Sequence, residues 1–168
     1  TKVKIVDEAG QEVTRGHTGE LLVQGPQVMQ GYWQQPEETA AVLQQGWLHT
    51  GDMVMLQEDG YLQLVDRKKE LINVGGLNVY PSEIEKVATM HPGILEAGAT
   101  GGINIRGQEV VKLFVVKKDP NLTKEALITH CSKYLTSYKV PKSITFLDSL
   151  PKSPVGKILR RSLEQPSE

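Results

Sequence analysis

"VDRKKELINVGGLNVYPSEIE", residues 65–85, marks the point at which the chain changes character. Up to Asp66 the pattern is that of strands. Arg67, Lys68 and Lys69 then place a run of cations directly after a strand, as a linker would. Beyond them the pattern becomes mixed α/β. The paired glycines Gly75 and Gly76 either make a tight bend or let a ligand come close to the backbone. "SEIEKVATM" then opens a helix, with Ser82 and Glu85 spaced as a capping box and Ile84, Val87 and Ala88 on one face. Two modules therefore meet near residues 66–69.

On the upstream side, "VKIVD" (Val3–Asp7) and "GELLVQG" (Gly19–Gly25) read as strands. "MVMLQEDGYLQLVD" (Met53–Asp66) reads as a hairpin with Asp59-Gly60 at its tip, a strong short-range turn signal. Between them "QPEETAAVLQQG" reads as a short helix, with Pro36 at its start, acids in the first turn and Gly46 as terminator. On the downstream side, "EVVKLFVVK" (Glu109–Lys117) is a mostly apolar run, as expected of a strand buried on both faces. "TKEALITHCSKYL" has Thr123 as N-cap and sets Leu127, Ile128, Cys131, Tyr134 and Leu135 in helical register. "SITFL" reads as a strand and "GKILRRSLE" as a basic amphipathic helix.

Composition narrows the function classes. The 168 residues are 39% hydrophobic and 23% charged with a net charge of −1, so no global field draws the protein to nucleic acid or to an anionic membrane. A single cysteine, Cys131, rules out an internal disulfide framework and suits a reducing compartment. No apolar run approaches the roughly 18 residues of a membrane span. The chain opens on Thr1 and enters a strand-like segment at once, so the expectation is a piece of a longer protein.

Four short stretches could carry chemistry. "HTGD" sets Asp52 just after a glycine; a carboxylate there can accept two hydrogen bonds from a vicinal diol, or simply serve as a turn residue. "DRKKE" could hold Arg67 beside an anion with Lys69 at a pivot, or be a solvated linker. The Gly75-Gly76 pair has the two readings given above. "PKSPVGK" (Pro151–Lys157) invites a phosphate-loop reading, which fails: Pro151 stands where the first glycine of that loop belongs, and Ile158 follows Lys157 instead of Ser or Thr. Two prolines also remove backbone N–H donors, so Lys157 can act only as a side-chain cation on a stiff support, or as part of a loop leading onward. Cys131 faces the core of its helix, and His17, His49, His91 and His130 lack a metal-site spacing; no metal site is expected.

Taken in order, "GWLHTGD", "VDRKKELINVGGLNVYPSEIE", "LTSYKVPK" and "LPKSPVGKILRR" resemble the C-terminal part of adenylate-forming enzymes. Within that superfamily the chain is most similar to the bacterial AMP-forming long-chain fatty acid–CoA ligases, from "GELLVQGPQVMQGYW" to "KILRR". The resemblance implies an α+β protein. Residues 1–66 would be the β-rich end of the large AMP-binding domain, part of a distorted β-barrel subdomain. Residues 67–168 would be a small mobile α/β C-terminal domain, with the hinge near 66–69.

It also implies roles. Asp52 would hold the ribose hydroxyls of the nucleotide and Arg67 would sit close to the ribose and phosphate. Lys69 falls at the hinge, Gly76 with Gly75 lies beside the coenzyme A channel, and Lys157 would bridge the substrate carboxylate and the α-phosphate of ATP. Asn73 departs from family members that activate aromatic acids, which carry lysine there; this favours fatty acids. ATP, Mg2+ and coenzyme A are the implied cofactors of the longer enzyme, with none expected bound to this piece, which alone should be inactive. The implied partners are the large N-terminal domain, a fatty acid and coenzyme A, with no nucleic acid. Exposed strand edges of residues 1–66 are expected to drive self-association. The expected location is the cytoplasm, with peripheral contact to the inner membrane left open for the longer protein. Two alternatives stand beside this reading: a fatty acyl-AMP ligase that loads a carrier protein, and a non-catalytic α/β module whose basic "KILRR" docks on an acidic partner.

Overall fold

The computed structural model describes residues 1–163, and they divide into two compact units, Thr1–Lys69 and Glu70 onward. In the first unit the strands are β1 (Lys2–Val6) and β2 (Thr18–Gln24), followed by helix α1 (Pro36–Val42), β3 (Leu43–Gln44), β4 (Trp47–Leu56) and β5 (Leu62–Arg67). β1, β2 and β4 pair antiparallel in that order, and β3 and β5 both pair with β4. Asp59-Gly60 does sit in the β4–β5 turn, where Gly60 takes φ +86°. Gly46 does not end α1. The helix stops at Val42, and Gln45 and Gly46, both with positive φ, make the tight β3–β4 turn that glycine at this place favours.

A short 3₁₀ turn, Lys68–Glu70, carries the chain into the second unit. There follow β6 (Ile72–Val74), β7 (Leu77–Val79), α2 (Pro81–Thr89), β8 (Ile94–Ile103), β9 (Glu109–Lys117), α3 (Lys124–Tyr134) and β10 (Ser143–Leu147). β9 is central, antiparallel to β8 and parallel to β10, and α3 makes the crossover that a parallel pair needs. Its apolar run is explained by two separate cores. Val111, Leu113 and Val115 pack with Ile84, Ala88, Leu127 and Cys131 of the helices, while Phe114 and Val116 pack with Leu150 and Leu163.

Several sequence expectations are corrected here. β8 was not anticipated, because Gly98, Gly101 and Gly102 give it poor strand propensity; pairing with β9 overrides that. Gly98 has a packing reason: a Cβ there would lie 3.1 Å from Leu163 Cδ1 and 3.3 Å from Ile158 Cγ2. The Ser82–Glu85 capping box does not form; α2 begins at Pro81 with Tyr80 as N-cap, and Glu85 turns to other partners. Thr123 does cap α3, accepting from Ala126 N–H, and Leu127, Cys131 and Leu135 are buried, but Ile128 and Tyr134 are exposed. The predicted helix over Gly156–Glu164 is absent. Ile158 makes a bridge with Lys152, and only Arg160–Ser162 form a 3₁₀ turn, while Glu164 lies outside the described residues. The cause is tertiary: Ile158 and Leu163 are both spent covering the outer face of β9, and a five-residue spacing does not repeat on one helix face. Among the described residues, no helix is long and apolar enough to cross a membrane.

Candidate functional site

In the first unit the site is built on a bulge. β2 and β4 pair Leu22 with His49 and Glu20 with Met53, so Thr50, Gly51 and Asp52 are looped against Leu21 alone. A bulge of this kind bends the strand and re-aims a side chain. Gly51 sits at φ +70°, where nothing crowds a Cβ, so glycine is favoured there by backbone conformation and not by space. Thr50 Oγ1 donates to the Leu21 carbonyl at 2.8 Å and accepts from Asp52 N–H at 3.1 Å, which fixes the bulge from inside.

Asp52 is thereby set opposite Arg67 of β5, with Arg67 Nε 2.8 Å from Asp52 Oδ1. The contact is an ion pair without hydrogen-bond alignment, which leaves acceptor capacity on the buried Oδ1. The part-exposed carboxylate of Asp52 beside a half-exposed guanidinium suits a ligand carrying both hydroxyl donors and an anionic group.

Glu20 was overlooked in the sequence and organises this cluster. It is 6% exposed, its Oε2 takes Lys68 Nζ at 2.8 Å and His49 Nδ1 at 3.3 Å, and its Oε1 takes Gly51 N–H at 3.3 Å. The available signal was period two: a carboxylate in "GELLVQ" falls on the same face as the buried Leu22. Burial alone would raise the Glu20 carboxyl. The hydrogen bonds from Lys68 and then His49, with their charges, outweigh burial and hold it below its ordinary value of 4.5. Its stabilising effect is therefore full above that value and is lost as the pH falls further, through the lowered folded value. Thermal unfolding should show Glu20→Gln less stable by about 2 kcal/mol at neutral pH. As the pH falls below 4.5 and through the lowered folded value the wild type should progressively lose that advantage, so that the two melting curves approach each other.

In the second unit, Gly75 and Gly76 form the β6–β7 turn at φ +61° and +86°, so the bend is real. Asn73 Oδ1 accepts from Gly76 N–H at 2.8 Å and holds the turn shut, which gives this asparagine a local function. Both glycines are exposed, and a Cβ on either would meet nothing within 4 Å inside the chain.

Lys157 lies exposed at the base of a small closed loop. Ser153 N–H donates to the Lys157 carbonyl at 2.8 Å, Lys157 N–H donates to Ser153 Oγ at 3.1 Å, and Leu159 N–H donates to the Pro151 carbonyl at 2.8 Å. The loop is thus stiff while its ammonium is free to reach outward. Lys69 is exposed in the junction turn as the last residue of the first unit. Cys131 is buried with its thiol pushed up to about 11 by desolvation, which makes it inert. Among the described residues no group of three or more His, Cys, Asp or Glu could hold a metal.

Comparison with known proteins gives this arrangement its class. Residues 83–157 match the family model for the AMP-binding enzyme C-terminal domain, and residues 1–33 match the model for the AMP-binding enzyme. The chain belongs to the AMP-binding family of adenylate-forming enzymes.

More particularly, it is 56% identical over 163 residues to the long-chain-fatty-acid–CoA ligase of Escherichia coli O157:H7, covering 97% of this chain and 29% of that protein. It is 47% identical over 158 residues to the ligase of the same name in Bacillus subtilis (strain 168), covering 94% of this chain and 28% of that one. Among solved structures, ATP-bound MatB from Rhodopseudomonas palustris matches with a TM-score of 0.89 at 33% identity, over 96% of this chain and 33% of that one. The chain therefore spans about 29% of the length of the curated relatives it matches.

Proposed function

We propose that this chain is the C-terminal part of a ligase that activates a long-chain fatty acid with ATP and passes the acyl group to coenzyme A. A fatty acid carboxylate oxygen attacks the α-phosphorus of ATP, the bond to the β-phosphate oxygen breaks, and pyrophosphate leaves. The thiol of coenzyme A then attacks the acyl carbon, the bond to the phosphate oxygen breaks, AMP leaves, and the thiol proton passes to solvent.

The observation that carries this reading is the closed loop that holds the exposed Lys157 on a stiff base. Bridging carboxylate and α-phosphate, that cation lowers the repulsion between two anions as their bond forms. Asp52 would accept from the ribose hydroxyls, with Arg67 close to the ribose and phosphate, roles the geometry of the bulge supports. Lys69 would be the hinge, between the two compact units. Gly75 and Gly76, exposed and without side chains, would flank the path of the pantetheine thiol. Mg2+ and the triphosphate tail are proposed to be held by other parts of the longer protein. Trp33, Tyr61 and Leu64, 87%, 74% and 64% exposed in the first unit, support reading that unit as the β-rich end of a larger domain.

The 56% identity to long-chain-fatty-acid–CoA ligases supports the long-chain reading. The test is an assay of the full-length protein with ATP, a long-chain fatty acid and coenzyme A. The expected result is acyl-CoA with equal AMP and pyrophosphate. Adenylate that accumulates and moves only to a carrier-protein thiol would favour the acyl-AMP ligase reading instead.

A further inference from the structure

The loop bearing Lys157 is fastened at both ends by ion pairs that the reaction itself does not require. At its start Lys152 pairs with Glu96 on β8. At its end Arg160 is nearly enclosed, its side chain 15% exposed, between two carboxylates. Its Nε and Nη2 donate in parallel to Glu85 Oε1 and Oε2, each at 2.7 Å, and its Nη1 donates to Glu70. Glu85 belongs to α2 and also accepts from Ala99 N–H of β8 at 2.9 Å, so its carboxylate is fixed to the body of the unit. Glu70 is the first residue after Lys69.

One guanidinium thus ties together the lysine loop, the helix and the end of the junction turn. A planar fork holds Glu85 bidentately and Glu70 in a fixed direction at once, whereas the rotatable donors of an ammonium impose no such geometry. A buried pair of this kind is a poor stabiliser relative to apolar packing, which directs attention to a geometric role. The burial of Leu163 and the packing of partly buried Ile158 against the same cluster already keep the segment attached. What Arg160 adds is a fixed length and direction between the turn at Glu70 and the lysine three residues before it.

We infer that Arg160 is a positioning residue for Lys157. By clamping Glu85 and Glu70 together it makes the lysine loop and the pivot end of the small unit one rigid lever, so that a rotation at the junction delivers the ammonium to a defined place. This rests on the proposed role of Lys157 in adenylation. A misplacement of about 1 Å at a reacting centre can cost on the order of 10²-fold in rate.

The experiment uses the full-length protein and measures the two half-reactions separately, as fatty-acid-dependent ATP–pyrophosphate exchange and as thioester formation from supplied acyl-adenylate. Arg160→Ala should lower exchange by about 10²-fold and change thioester formation by less than about 3-fold. Millimolar guanidinium should recover part of the exchange. Arg160→Lys should stay impaired in exchange because it lacks the fork. Should Arg160→Ala fold poorly, Glu70→Ala decides the matter: it removes the acceptor at the junction and leaves the Arg160–Glu85 fork in place, and exchange should fall about 10-fold with the melting temperature nearly unchanged. Exchange retained in these variants, or both half-reactions lost in equal measure, would overturn the positioning role. Lys157→Ala runs beside them; if that variant keeps its exchange, the failure belongs to the adenylation reading and not to Arg160.

Discussion

Lys157→Ala in the full-length protein is expected to lower fatty-acid-dependent ATP–pyrophosphate exchange by about 10²–10³-fold, the usual cost of removing one preorganised group that stabilises transition-state charge. The carboxylate nucleophile and the α-phosphate repel as they approach, and the proposed task of the Lys157 ammonium is to offset both charges. Thioester formation from supplied acyl-adenylate meets no such repulsion, because the phosphate is then a leaving group on a formed ester. That step should proceed within about 3-fold of wild type. The loop should survive the substitution: its closing hydrogen bonds use the Lys157 backbone and the Ser153 hydroxyl, not the ammonium. Circular dichroism and melting temperature should therefore match wild type, so that a lost rate reads as lost chemistry.

Lys69→Pro should produce the opposite loss. The residue is exposed in the turn between the two compact units, and its proposed task is to change φ and ψ there as the small domain turns from one step to the other. Proline fixes φ near −65° and removes the N–H, so one of the two backbone states is denied. Acyl-adenylate formation should stay within a few-fold of wild type while thioester formation slows by about 10²-fold, as when a conformational step becomes limiting. Lys69→Ala keeps the backbone free, and both steps should remain near wild type. An equally large loss in the alanine variant would show that the side chain matters and the pivot does not.

How far the sequence carries the reader depends on the range of the interaction. β9 is legible because its apolar run is a local pattern, and the Asp59-Gly60 hairpin because turn chemistry is local too. β8 is not, since Gly98, Gly101 and Gly102 acquire their strand geometry by pairing with β9, and Gly98 also by admitting Leu163. The last segment looks helical by composition, yet Ile158 and Leu163 are recruited to the far face of β9, a demand made by residues more than forty positions earlier. The site divides in the same way. Asp52, Arg67, Lys69, Gly76 and Lys157 stand out through the order of short motifs. Glu20 is hidden because its partner Lys68 is 48 residues away, and Arg160 because Glu85 and Glu70 are 75 and 90 residues away. Local motifs mark the groups proposed to touch substrate; the groups that hold them in place are visible only once the chain is folded.

The most direct measurement is a rapid-quench, single-turnover comparison of wild type, Lys157→Ala and Lys69→Pro in the full-length protein, with both half-reactions timed on each. A crossed pattern is expected, in which the lysine variant fails to make acyl-adenylate but consumes it, and the proline variant makes it but cannot pass it on. Parallel losses in both steps for both folded variants, or an undiminished burst of acyl-adenylate from Lys157→Ala, would contradict it.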